Sequence, residues 1–222
     1  MEAYAKHGVE ELDQLILDLL RRYDNQISEK TIDTFCQENG INAELMVTVL
    51  EVYLREKTIT ESLFEEFSLN VIVDYLVKSH AYYLNKRIPQ IENTLAQIYN
   101  HNDRTFIVGV NLFFDSIRKG LIAHMENEEQ ELFPAIIAIE QGEVSKVSIV
   151  REFMQGHTHQ VEDALHELKK VVSAYKDKNH EVVFFESLVT QLDLLENDLR
   201  VHGAIEEKVL LPRALREELK LQ

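Results

Sequence analysis

Cysteine, proline and glycine, the residues that staple or punctuate a fold, are nearly missing from this chain: 222 residues hold one Cys, three Pro and seven Gly. The lone cysteine, Cys36, cannot form an intramolecular bridge, so no disulfide framework supports the core. None is needed, because a chain of this length can bury a full-sized core in one domain, or in one domain plus a small appendage. With few breakers, Leu, Glu, Ala, Lys and Gln fill long segments, and that composition favours an all-α protein. Positive charge is also scarce. Lys and Arg number 23 against 39 Asp and Glu, a formal net charge of −16, which repels phosphate backbones and anionic lipid heads, so no nucleic acid and no membrane is an expected partner. No apolar run approaches the roughly 20 residues that span a bilayer. The opening "MEAYAKHGVEELDQ" has neither the basic start nor the apolar run of a secretion signal, and the expected location is the cytoplasm.

The turn signals divide the chain into a helical N-terminal region, residues 1–66, and a longer part, residues 67–222. In the first, "VEELDQLILDLLRRY" carries Leu12, Leu15, Ile16 and Leu19 at helical spacing, and "NAELMVTVLEVYL" follows a turn at Asn39 and Gly40, with Asn42 as its cap. These helices are short and must dock to be stable. The second part offers four long segments: about Ser68 to Ile98, Asp103 to Ile139, Ser145 to Tyr175 and Asn179 to Leu210. Four helices of about 30 residues joined by short loops describe an up-down-up-down four-helix bundle, here with a short helical N-terminal extension.

Steps of three and four residues trace the buried stripe of each bundle helix. The stripes read Val73, Val77, His80, Leu84, Ile88, Ile91; then Val110, Phe114, Ile117, Leu121, His124, Glu128, Leu132; then Val150, Met154, His157, Val161, Ala164, Leu168, Val171; and last Leu188, Leu192, Leu195, Leu199, His202, Glu206, Val209. Every stripe holds one histidine, and two hold a glutamate as well. The eleven residues "HMENEEQELFP", from His124, and "HGAIEEKVLLP", from His202, share the pattern H-x3-E-E-x2-L-x-P. Nine histidines and 39 acids among 222 residues predict fewer than two His-x3-acid pairs by chance, and four occur. The pairs His7/Glu11 and His159/Asp163 fall on polar or terminal surfaces and have the usual meaning of such spacing, a solvated pair. His124/Glu128 and His202/Glu206 interrupt apolar stripes.

A single histidine on an apolar face is more often a hydrogen-bonded core residue than a ligand. Six polar groups at matching positions are harder to explain that way. Buried carboxylates need compensating cations, and no Lys or Arg lies on those stripes. His80 and His124 are 44 residues apart, His157 and His202 45, so the second helical hairpin repeats the first. Superposed, the hairpins bring four imidazoles and two carboxylates to one level. Such a cage suits two metal ions, each taking two histidines, with the glutamates bridging. Imidazole with carboxylate and no thiolate points to iron, with manganese or zinc behind it. "GHTH" offers His157 and His159; His157 is on the stripe, whereas His159 shares a face with Glu162, Asp163 and His166. His7, His101, His166 and His180 have no stripe position and read as surface residues.

The order His, His-x3-Glu, His, His-x3-Glu, with "EEQELFP" and "LLPRAL" closing the second and fourth helices and "RIP" after His80, resembles the hemerythrin-like proteins over about Phe67 to Leu215. More narrowly it is similar to the branch implicated in repair of iron–sulfur clusters after nitric oxide or oxidative damage. Oxygen-carrying hemerythrins use a fifth histidine in an His-x3-His pair on the third helix, where this chain has Val161. The resemblance implies two non-haem iron ions bridged by carboxylates and an oxo or hydroxo group. His80, His124, His157 and His202 would be terminal ligands, and Glu128 and Glu206 the bridges. It implies as partners a small diatomic ligand, oxygen or nitric oxide, and an iron–sulfur client protein. Members of the repair branch often carry a leading domain with adjacent cysteines; "DTFCQENGINAELMVTVLE" keeps only Cys36, read as a half-buried structural residue. Nothing suggests hydrolysis or group transfer, since no phosphate loop or separate acid–base pair is present. Two other readings are a hemerythrin-like sensor or carrier of oxygen or nitric oxide, and a metal-free helical interaction protein. Replacing His159 by Ala is expected to leave metal loading nearly intact, as checked by elemental analysis of the purified chain; a large loss would make His159 the ligand instead of His157.

Overall fold

The computed structural model describes residues 32–55, 58–101, 104–143, 148–156, 160–176 and 182–221, and all regular structure among them is helical. The helix expected around Leu12 to Leu19 lies outside them. Helix α1 (Ile32–Asn39) stops at Gly40, whose φ of +64° is the left-handed conformation that glycine adopts most cheaply. Helix α2 (Ala43–Arg55) starts beneath Asn42, whose Oδ1 accepts the Leu45 N–H at 2.9 Å. That is the cap expected from the sequence.

Three long runs follow, each with a widened turn inside it. Run α3 is Leu69–Tyr82, a π turn Tyr83–Arg87, and Ile88–His101. Run α4 is Arg104–Asn127, a π turn Glu128–Leu132, and Phe133–Glu140, stopped by Gly142 at φ +84°. Helices α5 (Ile149–Gly156) and α6 (Gln160–Lys176) come next. Run α7 is Val182–Ile205, a π turn Glu206–Leu210, and Leu211–Leu221.

The chain's three prolines account for these three turns. Pro89, Pro134 and Pro212 each lie two residues past the last residue of a π turn. A proline within an α-helix has no N–H to donate, and its ring collides with the carbonyl four residues back. Widening the preceding turn by one residue lets the helix run on. The N–H of Phe133 accordingly donates to the Glu128 carbonyl, and that of Leu211 to the Glu206 carbonyl, five residues back in each case. The expected end of the fourth segment at Leu210 is therefore corrected: α7 continues through Pro212 to Leu221. The inserted residue also resets the inward face. His202, Glu206, Leu210, Ala214 and Glu218 are all buried. On an unbroken α-helix, four successive steps of four would swing the last of them about 160° from the first; one extra residue takes back about 100°.

The described residues form two compact units, one of 32–82, 135–143 and 204–221, the other of 83–134 and 148–203. In the first, Leu45, Met46, Val49 and Leu50 of α2, together with Phe64, are buried, and so is Cys36 of α1, more completely than the half-burial expected of it. Lys78 pairs with Asp74 at 2.6 Å and also donates to the Gly40 carbonyl. Arg213 of α7 donates to the carbonyls of Phe64 and Phe67 at 2.7 and 2.8 Å, which fixes the segment leading into α3. Glu140, the last residue of α4, accepts the N–H groups of Leu69 and Asn70 at 2.6 and 3.0 Å.

In the second unit, Ile91, Leu95, Ile107, Val110, Phe114, Ile117 and Leu121 form one side of the core, and Phe185, Leu188, Leu192 and Leu195 another. Phe106 stacks on Tyr175 with centroids 3.6 Å apart, and Phe185 lies against the pair. The third stripe is corrected in part. Val150 and Leu168 are buried as expected, whereas Met154 and Val171 are exposed and Leu165 and Val172 are buried instead. The expected stripe was threaded through one helix from Ser145 to Tyr175; α6 taken alone buries Leu165, Leu168 and Val172, which share one face at steps of three and four.

The Glu140 contact brings a carboxylate to the N-terminus of α3, where free N–H groups and the helix dipole favour it. Glu140→Ala is expected to cost about 1 kcal/mol and to lower the thermal midpoint by about 2–4 °C, measured by circular dichroism.

Candidate metal centre

Four of the six expected ligand positions come together. His80 lies in the last turn of the first section of α3, and His202 in the last turn of the corresponding section of α7. Glu128 and Glu206 are the first residues of the π turns in α4 and α7. All four are buried, and each offers a ligand atom such that these atoms lie within 4.8 Å of one another. His124 is not in this group. Its Nε2 lies 3.1 Å from Glu128 Oε1, but its side chain is 37% exposed against 1% for Glu128. The imidazole thus stands at the rim of the buried carboxylate. His157 and the alternative His159 lie outside the described residues. His166 is on the surface, with Nδ1 2.9 Å from Glu196 Oε1.

Burial pushes the His202 imidazole down to about 4, and the charge of His124 adds to this; the carboxylates of Glu128, Glu162 and Asp198 pull the other way. A neutral imidazole keeps a lone pair for a cation. The described group offers two imidazoles and two carboxylates, with no thiolate. That is a borderline-to-hard donor set suited to a first-row divalent metal. Two buried carboxylates side by side repel each other, and a cation among them removes that repulsion and the cost of their burial.

A second layer was missed in the sequence. Asp198, one turn before His202, is buried, and its Oδ2 lies 3.6 Å from Nε of the buried Arg87. Tyr83 donates its hydroxyl to the Asp198 carbonyl at 3.4 Å, and its ring meets the His202 ring edge to face at 5.9 Å between centroids. The expected stripe ran through Leu84 and Ile88. Ile88 and Ile91 are buried as expected, but Leu84 is partly exposed, and Tyr83 and Arg87, between His80 and Ile88, are buried instead. The available signal is an acid four residues before a histidine, D-x3-H, inside an apolar stretch, the reverse of the His-x3-acid spacing.

With this geometry in view, comparison with known proteins places the chain in a family. It belongs to the hemerythrin family: the model of the hemerythrin HHE cation binding domain matches residues 71–215. It is also similar to the iron-sulfur cluster repair protein ScdA of Staphylococcus haemolyticus (strain JCSC1435), at 24% identity over 127 residues. That alignment covers 56% of each chain, so the chain spans a little over half the length of this relative. Among the described residues, no helix is long and apolar enough to cross a membrane.

The His202 shift gives the metal-free chain a pH dependence with a definite sign. Its folded value of about 4 lies below the ordinary 6.5, so the unfolded chain takes up the proton first. The contribution is fully present above pH 6.5 and is lost as pH falls toward 4, by on the order of 3 kcal/mol. Urea unfolding of metal-free protein across that range should show the fall; a flat profile would mean that the imidazole is solvated.

Proposed function

We propose that the chain is a non-haem di-iron-binding protein acting in iron–sulfur cluster repair during nitric oxide or oxidative stress. One observation carries the metal reading: the buried group of His80, Glu128, His202 and Glu206, with ligand atoms within 4.8 Å of one another. His124, already against Glu128, would add a third imidazole at the open side. His157 would be the fourth, giving each iron two histidines in an up-down-up-down bundle. Glu128 and Glu206, at equivalent places at the start of π turns, would be shared between the metals. Iron is preferred to zinc because it combines this donor set with one-electron chemistry, and to manganese because of the likeness to a protein named for iron–sulfur cluster repair. Bound there, it would supply redox exchange and open positions for a small diatomic ligand, oxygen or nitric oxide.

What the chain itself contributes is binding and exclusion of water. Leu121, Met125, Leu132, Leu199, Ile205 and Val209 are buried around the ligand positions in α4 and α7, and such an apolar lining limits solvent access and tunes the metal. The repair role, and an iron–sulfur protein as client, rest on family membership and on the likeness to a protein named for cluster repair.

Protein purified from iron-fed cells is expected to hold two irons per chain, with near-ultraviolet absorption. Glu128→Ala and Glu206→Ala are expected to lose dinuclear loading while the far-ultraviolet helical signal persists. The repair role further predicts that a chelator removes the iron readily and that loaded protein rebuilds a cluster on an apo-partner. Iron that resists chelation and rebuilds nothing would overturn the repair role. If that iron bound oxygen or nitric oxide reversibly, the sensor or carrier reading would replace it.

A further inference from the structure

Two of the three π turns open on a glutamate of the buried group, whereas the first, Tyr83–Arg87, contains neither histidine nor acid. Its first and last residues are nevertheless both buried, and both engage one turn of α7. We infer that Tyr83 and Arg87, acting with Asp198, are positioning residues that hold the imidazole of His202 in the orientation a metal requires.

The geometry makes three points of contact along that turn. The Tyr83 ring stands edge to face against the imidazole, with planes at 65°, and blocks rotation of the ring. Its hydroxyl anchors the backbone at the Asp198 carbonyl. Arg87 holds the Asp198 carboxylate, with side chains 9% and 0% exposed. A buried ion pair gains little stability over a well-packed apolar pair of the same volume, so bulk stability alone does not explain this one. Orientation does, because a ligand ring turned away from its metal loses the bond, and residues that merely support ligands alter metal affinity by about 10–100-fold. Tyr83 and Arg87 lie three and seven residues past His80, so helical spacing puts them on its face, while Leu84 is left partly exposed.

The inference rests on the metal-binding reading above, and the test separates the two. Cobalt(II) alone is added to the metal-free full chain; its visible absorption reports ligand geometry, and competition with a chelator reports affinity. Tyr83→Leu and Asp198→Asn are each expected to weaken cobalt binding at least about tenfold and to change the visible bands. Tyr83→Phe keeps the ring and should stay within about threefold of wild type, since it loses only a long hydrogen bond. Tyr175→Leu, which breaks the Phe106 stack elsewhere in the same unit, should lower the melting temperature but leave affinity and spectrum unchanged. Wild-type affinity and spectrum in Tyr83→Leu would overturn the inference, and so would equal weakening in Tyr175→Leu. If Tyr83→Leu does not fold, Tyr83→Met takes its place, and unchanged binding in that variant or in Asp198→Asn overturns the inference as well. Failure of the wild-type chain to bind cobalt would instead sink the metal-binding reading.

Discussion

A proline ring leaves no room for a carbonyl four residues behind it, and three long helices of this protein are shaped by that collision. Each admits one extra residue rather than ending or kinking sharply. The cost is a poorer set of hydrogen bonds in one turn. The gain is a local change of helical phase, so that residues on either side of the turn face inward together although their spacing is wrong for a plain α-helix. In α4 and α7 the widened turn starts at the glutamate of the buried group. In α3 it starts at Tyr83 instead. Backbone and chemistry are thus set by the same motif, in which the proline and the acid are six residues apart in α4 and α7.

The buried group makes sense only against that frame. Four ionisable side chains sit among leucines, isoleucines and valines, where charge is expensive. Hydrophobic packing fixes the elements; it cannot by itself favour carboxylates over more leucine. Tyr83, Arg87 and Asp198 add buried polar contacts beside His202, so the polar side chains there are not isolated exceptions. His124 marks where the buried group reaches the surface.

Much of this was legible beforehand. The repeated H-x3-E-E-x2-L-x-P motif identified Glu128, His202 and Glu206, and the three-four stripe with its 44-residue spacing brought in His80, because helical periodicity survives on both sides of the π turns. Helix ends marked by Asn42 and Gly40 were legible too, since caps and left-handed glycines are local. The failures have separate causes. A step of three and a step of four from His80 both keep to one helix face, and the apolar choice, Leu84, was favoured over Tyr83 and Arg87. The fourth segment was ended at Leu210, two residues short of Pro212, whereas the helix runs on through that proline to Leu221. Val171 was preferred to Val172 because the stripe was carried over from the neighbouring segment rather than read within α6. His124 shows the limit of periodicity: the residue is on the right helix face, yet periodicity cannot say how deep that face lies at the end of a turn.

The ties that hold α3 at its start are remote in sequence. Its first N–H groups wait on Glu140, 71 residues away, and the carbonyls of Phe64 and Phe67 wait on Arg213, 149 and 146 residues away. Helical turns form from neighbours, and closures over such distances come late because chain entropy opposes them. During synthesis the stretch ahead of α3 therefore emerges long before the guanidinium that clamps it. It stays without that latch until α7 has followed it out of the ribosome, so the two ends of the clamp are joined only after everything between them has been made.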